Sequence, residues 1–340
     1  MVILSSKISG VKIHLNGQFT EEYRIALEDF TMFYDFIDIT YDPNNKSSLK
    51  SKNDRVCRFC QKSSPDVSFK KSAHLIPEFM GNRNLLSDFE CDTCNMKMSR
   101  YEDSFAKFFG ADRTFSQMKG KKGSKTFKNS KIEVREIKED GKAKIRITPK
   151  LLNGEKCYNI DEDNKSIIIE NTKHSYIPLD IFKVLCKIAF SLIPESELEK
   201  FEKLRTLILQ NTFDDKILKG NDFFRAYTFK LNWNEYKRPI VMMFKKRLSY
   251  KDQNIPSWTF VLCFNKFVYQ FFLPFCEEDN WLYNKSKEVT FKILPPLISE
   301  ELILNFGNPT MEIFDFSSYE LLKCEKEKII LYYETKAKVE

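Results

Sequence analysis

Two cysteine pairs, Cys57-Arg-Phe-Cys60 and Cys91-Asp-Thr-Cys94, enclose the stretch Ser68-Phe-Lys-Lys-Ser-Ala-His74-Leu-Ile-Pro77-Glu-Phe-Met-Gly81-Asn-Arg-Asn84-Leu85, and Asn95 follows directly. Each two-residue spacer lets a single turn present both sulfurs to one ion, so Cys57, Cys60, Cys91 and Cys94 read as a tetrahedral four-thiolate zinc site. Such a site is closed and therefore structural. Between the pairs, Val67–Leu75 is predicted as a strand, Pro77–Asn84 as the turn and Leu85–Phe89 as the returning strand. Asp92 opens a helix to about Phe109, with Met98, Phe105 and Phe109 toward a core. The order is strand, turn, strand, helix, held at both ends by zinc.

Outward from this unit, the chain has 340 residues, room for more than one average core. Hydrophobic residues make up 42% and charged residues 30%, which excludes wholesale disorder. Lys183 and Lys187 interrupt the apolar run Ile177–Ile193, so no stretch reaches the ~20 residues that span a bilayer. With no export signal legible, a cytoplasmic protein without a membrane partner is expected. In that reducing setting, paired cysteines favour metal over disulfides. The other five (Cys157, Cys186, Cys263, Cys276, Cys324) read as free buried thiols. The net charge of +7 permits a polyanionic partner without requiring one.

The expected fold class is α+β. Residues 1–54 form an α/β lead-in, with a strand at Val11–Leu15 and helical spacing over Glu21–Phe36. Residues 55–112 form the zinc-stapled module, and 113–130 a flexible basic linker, since Lys119–Lys131 holds six lysines and no acid. Residues 131–340 make an α+β domain with two helices before an antiparallel sheet. Its hairpin turns at Asp140-Gly141, and its helices cover Pro178–Leu192 and Glu195–Gln210. Strands are expected at Ser166–Glu170, Phe223–Trp233, Pro239–Leu248, Trp258–Phe264, Lys266–Leu273 and Val289–Leu294.

Residues 55–110 resemble the HNH (ββα-metal) endonucleases, in the branch with a C-x-x-C pair on either side. The resemblance is carried by both cysteine pairs, the His-Leu-Ile-Pro string, Gly81, Asn84-Leu85 and Cys94-Asn95. It implies hydrolysis of phosphodiester bonds in nucleic acid, double-stranded DNA above all, with one catalytic Mg²⁺ or Mn²⁺ besides the structural zinc. His74 would be the general base, since imidazole titrates near neutrality. Asn84 would pin the hairpin loop and help to orient His74, and Asn95 would offer its amide oxygen to the catalytic ion. Ala73 departs from the family, which usually has an acidic metal ligand there; Glu102 or Glu78 could supply the charge, and some branches of the family manage with a lone asparagine ligand. Lys119, Lys121, Lys122 and Lys125 would contact the DNA backbone. Bacterial defence proteins of similar layout fuse an HNH module to a regulatory domain. By that analogy alone, since the resemblance itself does not reach residues 131–340, a third reading is a defence effector in which these residues bind a regulatory ligand or form a homo-oligomer that gates the nuclease.

Plainer readings stand beside these. Asn95 could cap its helix, Asn84 could be a turn residue, Glu78 and Glu102 could be solvated carboxylates, and the lysine run could be a soluble linker. The competing function is a zinc-stabilised nucleic-acid-binding module without cleavage, for which Ala73 is the best support.

Overall fold

The computed structural model describes residues 2–5, 12–15, 19–40, 54–120, 123–150, 158–211, 214–218, 221–251, 254–283 and 288–333. The chain begins with a small antiparallel pair, β1 (Val2–Ser5) and β2 (Lys12–Leu15). Helix α1 (Glu21–Phe33) follows, capped by Thr20, whose hydroxyl accepts from the Tyr23 amide. The expected helix through Phe36 stops early because the chain turns into β3 (Tyr34–Thr40).

The module between the cysteines contains β4 (Ala73–His74), β5 (Leu86–Ser87) and α2 (Asp92–Phe108). Its strands are much shorter than the predicted ones. Outside two ladder pairs and the backbone bond from Leu75 N to Leu85 O, side chains help to hold the hairpin. A short helix α3 (Asp112–Phe115) leads on to β6 (Lys119–Gly120), β7 (Gly123–Ser124) and β8 (Phe127–Lys128). The stretch expected to be a flexible linker is thus a small hairpin whose continuation β8 joins a sheet. That sheet is completed by β9 (Ile132–Glu139) and β10 (Lys142–Pro149). Asp140 and Gly141, both at positive φ, form the expected two-residue turn between them. Next come β11 (Tyr158–Asp161), β12 (Ser166–Thr172), α4 (Pro178–Leu192), α5 (Glu202–Leu209) and α6 (Asp215–Leu218). The helix expected from Glu195 is a 3-10 turn up to Phe201. There the buried ring packs edge-on against Trp258, and the backbone leaves helical geometry (φ −117°) before α5 starts.

The antiparallel strands β13 (Arg225–Lys230), β14 (Tyr236–Lys246), β15 (Trp258–Asn265) and β16 (Phe267–Phe272) form the central sheet. Helix α7 (Glu300–Phe306) precedes β17 (Thr310–Asp315) and β18 (Lys326–Tyr332). The sheet has six strands in the order β17-β13-β16-β15-β14-β3. The N-terminal lead-in therefore supplies an edge strand to a sheet otherwise built after residue 224. Every residue of Trp258–Phe264 is buried because the sheet is covered on both faces. On one face, Val241, Met243, Phe260, Leu262 and Phe264 meet α4, α5 and α2. On the other, Met242, Phe244, Val261 and Cys263 meet Leu27 and Phe30 of α1 and Leu294. No strand forms at Val289–Leu294. This segment crosses the sheet face, and its backbone is satisfied from below by Gln270, whose amide bonds Leu294 N (2.7 Å) and Lys292 O (3.1 Å).

Helix α4 is buried nearly all round, as a central helix should be. It packs along α2. Phenylalanines lock α2 to the sheet: Phe105 stands edge-on to Tyr269 (5.7 Å), and Phe109 lies 5.0 Å from Phe267. Of the scattered thiols, Cys186, Cys263 and Cys276 are buried as expected. Cys324 is exposed, because it lies outside this core, and Cys157 falls outside the described residues. No helix among the described residues is long and apolar enough to cross a membrane.

Candidate active site and zinc cluster

The first cysteine pair sits on a tight knuckle. Cys57 N donates to Lys62 O (2.9 Å), Gln61 N donates to Cys57 O (2.7 Å), and Gln61 takes positive φ to close the turn. The second pair opens α2, with Cys91 at the N-cap, its sulfur accepting from the Cys94 amide. Arg58 N donates to Phe89 O and so joins the two. Consequently the sulfurs of Cys57, Cys60, Cys91 and Cys94 all lie within 4.8 Å of one another.

This donor set fits zinc. A Zn–S bond of ~2.3 Å implies a tetrahedral edge of about 3.8 Å, and Cys60 and Cys91 are 3.7 Å apart. The protons argue the same way. The Cys57 thiol is held down at about 5, chiefly by hydrogen bonding from Cys94. Burial pushes Cys91 up to about 12, and bonding to Cys57 pushes Cys94 up as well. A thiolate at Cys57 thus favours protons on Cys91 and Cys94. A bound dication is what allows all four to ionise.

His74 ends β4, paired across the hairpin with Leu86. Its Nδ1 is buried, whereas Nε2 lies 3.3 Å from Glu78 Oε1, at a side chain 21% exposed. Asp92 ties down the approach to β4, accepting from Ser68 Oγ (2.6 Å) and from the amides of Lys70 and Lys71. The loop beyond His74 is pinned by Asn82. Its Nδ2 donates to Ile76 O (2.7 Å) and Leu85 O (3.0 Å), and its Oδ1 accepts from Leu85 N (2.9 Å) and Asn84 N (3.2 Å). The loop-pinning expected of Asn84 is therefore made by Asn82. Asn82 is buried inside the turn, while the Asn84 side chain is exposed.

Asn95 stands in the first turn of α2, half-buried, with its backbone in the helix and no described residue hydrogen-bonding its side-chain amide. Glu102, two turns further on, is ion-paired to Lys187 of α4 (3.6 Å). That leaves Glu78 as the carboxylate facing the imidazole. Ala73 is buried at 1% exposure, so a methyl group fills the place of the family's acid.

Of the lysines, Lys119 and Lys125 are exposed, and Lys119 lies 3.8 Å from Glu136. Lys121 and Lys122 fall outside the described residues. The hairpin strand β6 packs against the 3-10 turn Glu78–Met80 that follows His74, so the basic segment borders the candidate site.

Three supporting side chains escaped the sequence reading. Arg58 caps α4 through the carbonyls of Phe190, Ser191 and Ile193 and also pairs with Glu195. Arg205 of α5 donates to Phe59 O (2.7 Å). Lys187 reaches the carbonyl of His74 itself (2.5 Å). These three side chains help to bolt the module to helices from later in the chain.

No curated protein and no solved structure matches the chain. Residues 57–108 match the model of the HNH endonuclease family, and this stretch holds the four clustered cysteines and the β4–β5–α2 unit.

Proposed function

We propose that the module hydrolyses phosphodiester bonds in double-stranded DNA, with His74 as general base and a divalent ion of the Mg²⁺ or Mn²⁺ class held at Asn95. The observation that carries this reading is the setting of His74. Its backbone is fixed on both sides, one ring nitrogen is buried, and the other faces the half-exposed Glu78 at 3.3 Å. Nε2 is then the atom that takes the proton from the attacking water. The imidazolium so formed would be stabilised by the Glu78 carboxylate, a charge-assisted contact absent while the ring is neutral. Asn95 offers a neutral oxygen and Glu78 a charged one, a donor set suited to a hard cation that keeps several waters. When bound, such an ion polarises the scissile phosphate and offsets charge on the leaving oxygen.

The exposed lysines of the 119–125 hairpin, beside the turn after His74, supply the cationic border that a phosphate backbone requires. One observation favours the non-cleaving alternative: the buried methyl of Ala73 replaces a ligand carboxylate. Plasmid incubated with the protein and Mg²⁺ or Mn²⁺ separates the two. Nicking or linearisation that falls about 10²–10⁴-fold in His74→Ala, with zinc content and melting temperature held, is expected of the nuclease. DNA binding without cleavage under either ion would establish the alternative. Residues 131–340 fit a regulatory or oligomerisation role, as would befit a defence effector. Cleavage that appears only with a small-molecule trigger, or only in an oligomeric fraction, would reveal it.

A further inference from the structure

Midway along α4, Lys187 is buried to 1% exposure in a helix whose other polar residues are Asp180, Lys183 and Ser191. An ammonium is retained in such a place only if its neighbours replace the water it has lost. The partners that do so come from the HNH module. Lys187 Nζ donates to the backbone carbonyl of His74 (2.5 Å), and it lies 3.3 Å from Glu90 and 3.6 Å from Glu102. Burial pulls its pKa down, but the two carboxylates more than offset this and hold it above the ordinary lysine value. The residue is charged, and its charge is spent on one side of the candidate site.

The position of this contact matters because β4 has only two residues. Ladder pairing fixes Ala73 and His74 against Ser87 and Leu86, and Leu75 N adds one bond to Leu85 O. A strand that short cannot hold a side chain to sub-ångström tolerance alone, and general-base catalysis needs that tolerance. The ammonium supplies an additional anchor directly on the carbonyl of the residue that bears the imidazole. It also neutralises Glu102, which faces the same lysine from α2 and would otherwise be free to compete with Glu78 for a cation.

We infer that Lys187 is a positioning residue for His74: α4, which lies outside the matched module, completes the nuclease site by clamping the His74 carbonyl. This inference rests on His74 being the base. It differs from a plain structural ion pair in what a substitution would do. A purely structural lysine can be replaced by an apolar chain of similar length once its stranded carboxylate is also neutralised. A clamp cannot, because the His74 carbonyl loses its donor either way.

The test uses the full chain as Lys187→Met and as Lys187→Met/Glu90→Gln. The double variant removes the fully buried carboxylate and leaves Glu102, whose side chain is 25% exposed and can reach water. It therefore also covers the case in which the single variant does not fold. The expected result for both is retained zinc, a kcat lowered about ten- to hundredfold with KM little changed, and faster amide hydrogen exchange across residues 73–87. Stability returns in the double variant while cleavage and exchange do not. A double variant that cuts at the wild-type rate with wild-type exchange would overturn the inference. Should wild-type protein fail to cut DNA under Mg²⁺ or Mn²⁺, the nuclease reading falls, and exchange alone decides the clamp. Unaltered protection at 73–87 refutes it, and accelerated exchange with zinc retained upholds it.

Discussion

The sulfurs of Cys60 and Cys91 lie 3.7 Å apart although 31 positions separate them in the chain. That separation matches the edge of a zinc–thiolate tetrahedron and is too long for a disulfide, whose sulfurs bond at about 2.05 Å. Zinc binding in small domains contributes ~10–16 kcal/mol of apparent folding energy. Protein purified without added metal should therefore carry one zinc per chain. Its stripping by a strong chelator should unfold the β4–β5–α2 unit, read as a fall in the hydrogen-exchange protection of residues 57–108. A folded, fully protected module that contains no metal would remove zinc from the account.

Asn82 and Asn84 are two residues apart and should behave very differently. Truncating Asn82 strands the Leu85 amide and the Ile76 carbonyl, which its side chain satisfies inside the turn. Asn82→Ala should cost about 1–3 kcal/mol and lower cleavage by loosening the loop beyond His74. Asn84→Ala, at an exposed side chain, should stay within ~0.5 kcal/mol of wild type. Denaturant titration of both variants measures this, and equal losses would show that the loop is held in another way.

That reversal shows where sequence reading succeeds and where it stops. Cysteine spacing, the apolar face of α2 and the Pro178 start of α4 are local patterns, and each is found where expected. Trp258–Phe264 is legible as a strand, but its near-continuous burial depends on what covers the sheet. Nothing local tells β3 to pair with β14, roughly 200 positions later, or tells the Val289–Leu294 segment to lie across a sheet instead of joining it. The lysines of α4 illustrate the limit best. Lys183 and Lys187 read as interruptions of an apolar run, and no helix among the described residues is long and apolar enough to cross a membrane. Their second message is that two charges one turn apart on a buried helix need partners. Lys183 finds Gln210 O and Lys187 finds His74 O, partners that only the tertiary fold identifies.

The basic hairpin should add affinity without sequence information. The Lys119 ion pair with Glu136 is long, and its ammonium sits on a half-exposed side chain, so it contributes little and yields readily to phosphate. Neutralising lysines 119, 121, 122 and 125 should weaken DNA binding equally for unrelated sequences. It should also flatten the dependence of log K on log salt by up to ~0.9 for each DNA phosphate that the variant no longer neutralises. An unchanged slope would assign the hairpin a purely structural part.

Ala73 poses the sharpest question about the catalytic ion. It is almost fully buried, opposite Ser87 and next to His74, so Ala73→Asp would place a carboxylate where water does not reach. Without a cation this is costly, of the order of a few kcal/mol, and the variant should melt lower than wild type in chelator. With Mg²⁺ the same carboxylate becomes a ligand. The melting temperature should then recover, and the Mg²⁺ concentration for half-maximal cleavage should fall below that of wild type. Glu78→Gln should raise that concentration more than Glu102→Gln, because Lys187 already occupies Glu102. Asn95→Ala should abolish cleavage in both backgrounds. Metal titrations of cleavage rate and of melting temperature measure all four variants. If wild-type protein binds the ion tightly and still does so after Asn95→Ala, the cation sits elsewhere, and the assignment of Asn95 and Glu78 must be given up.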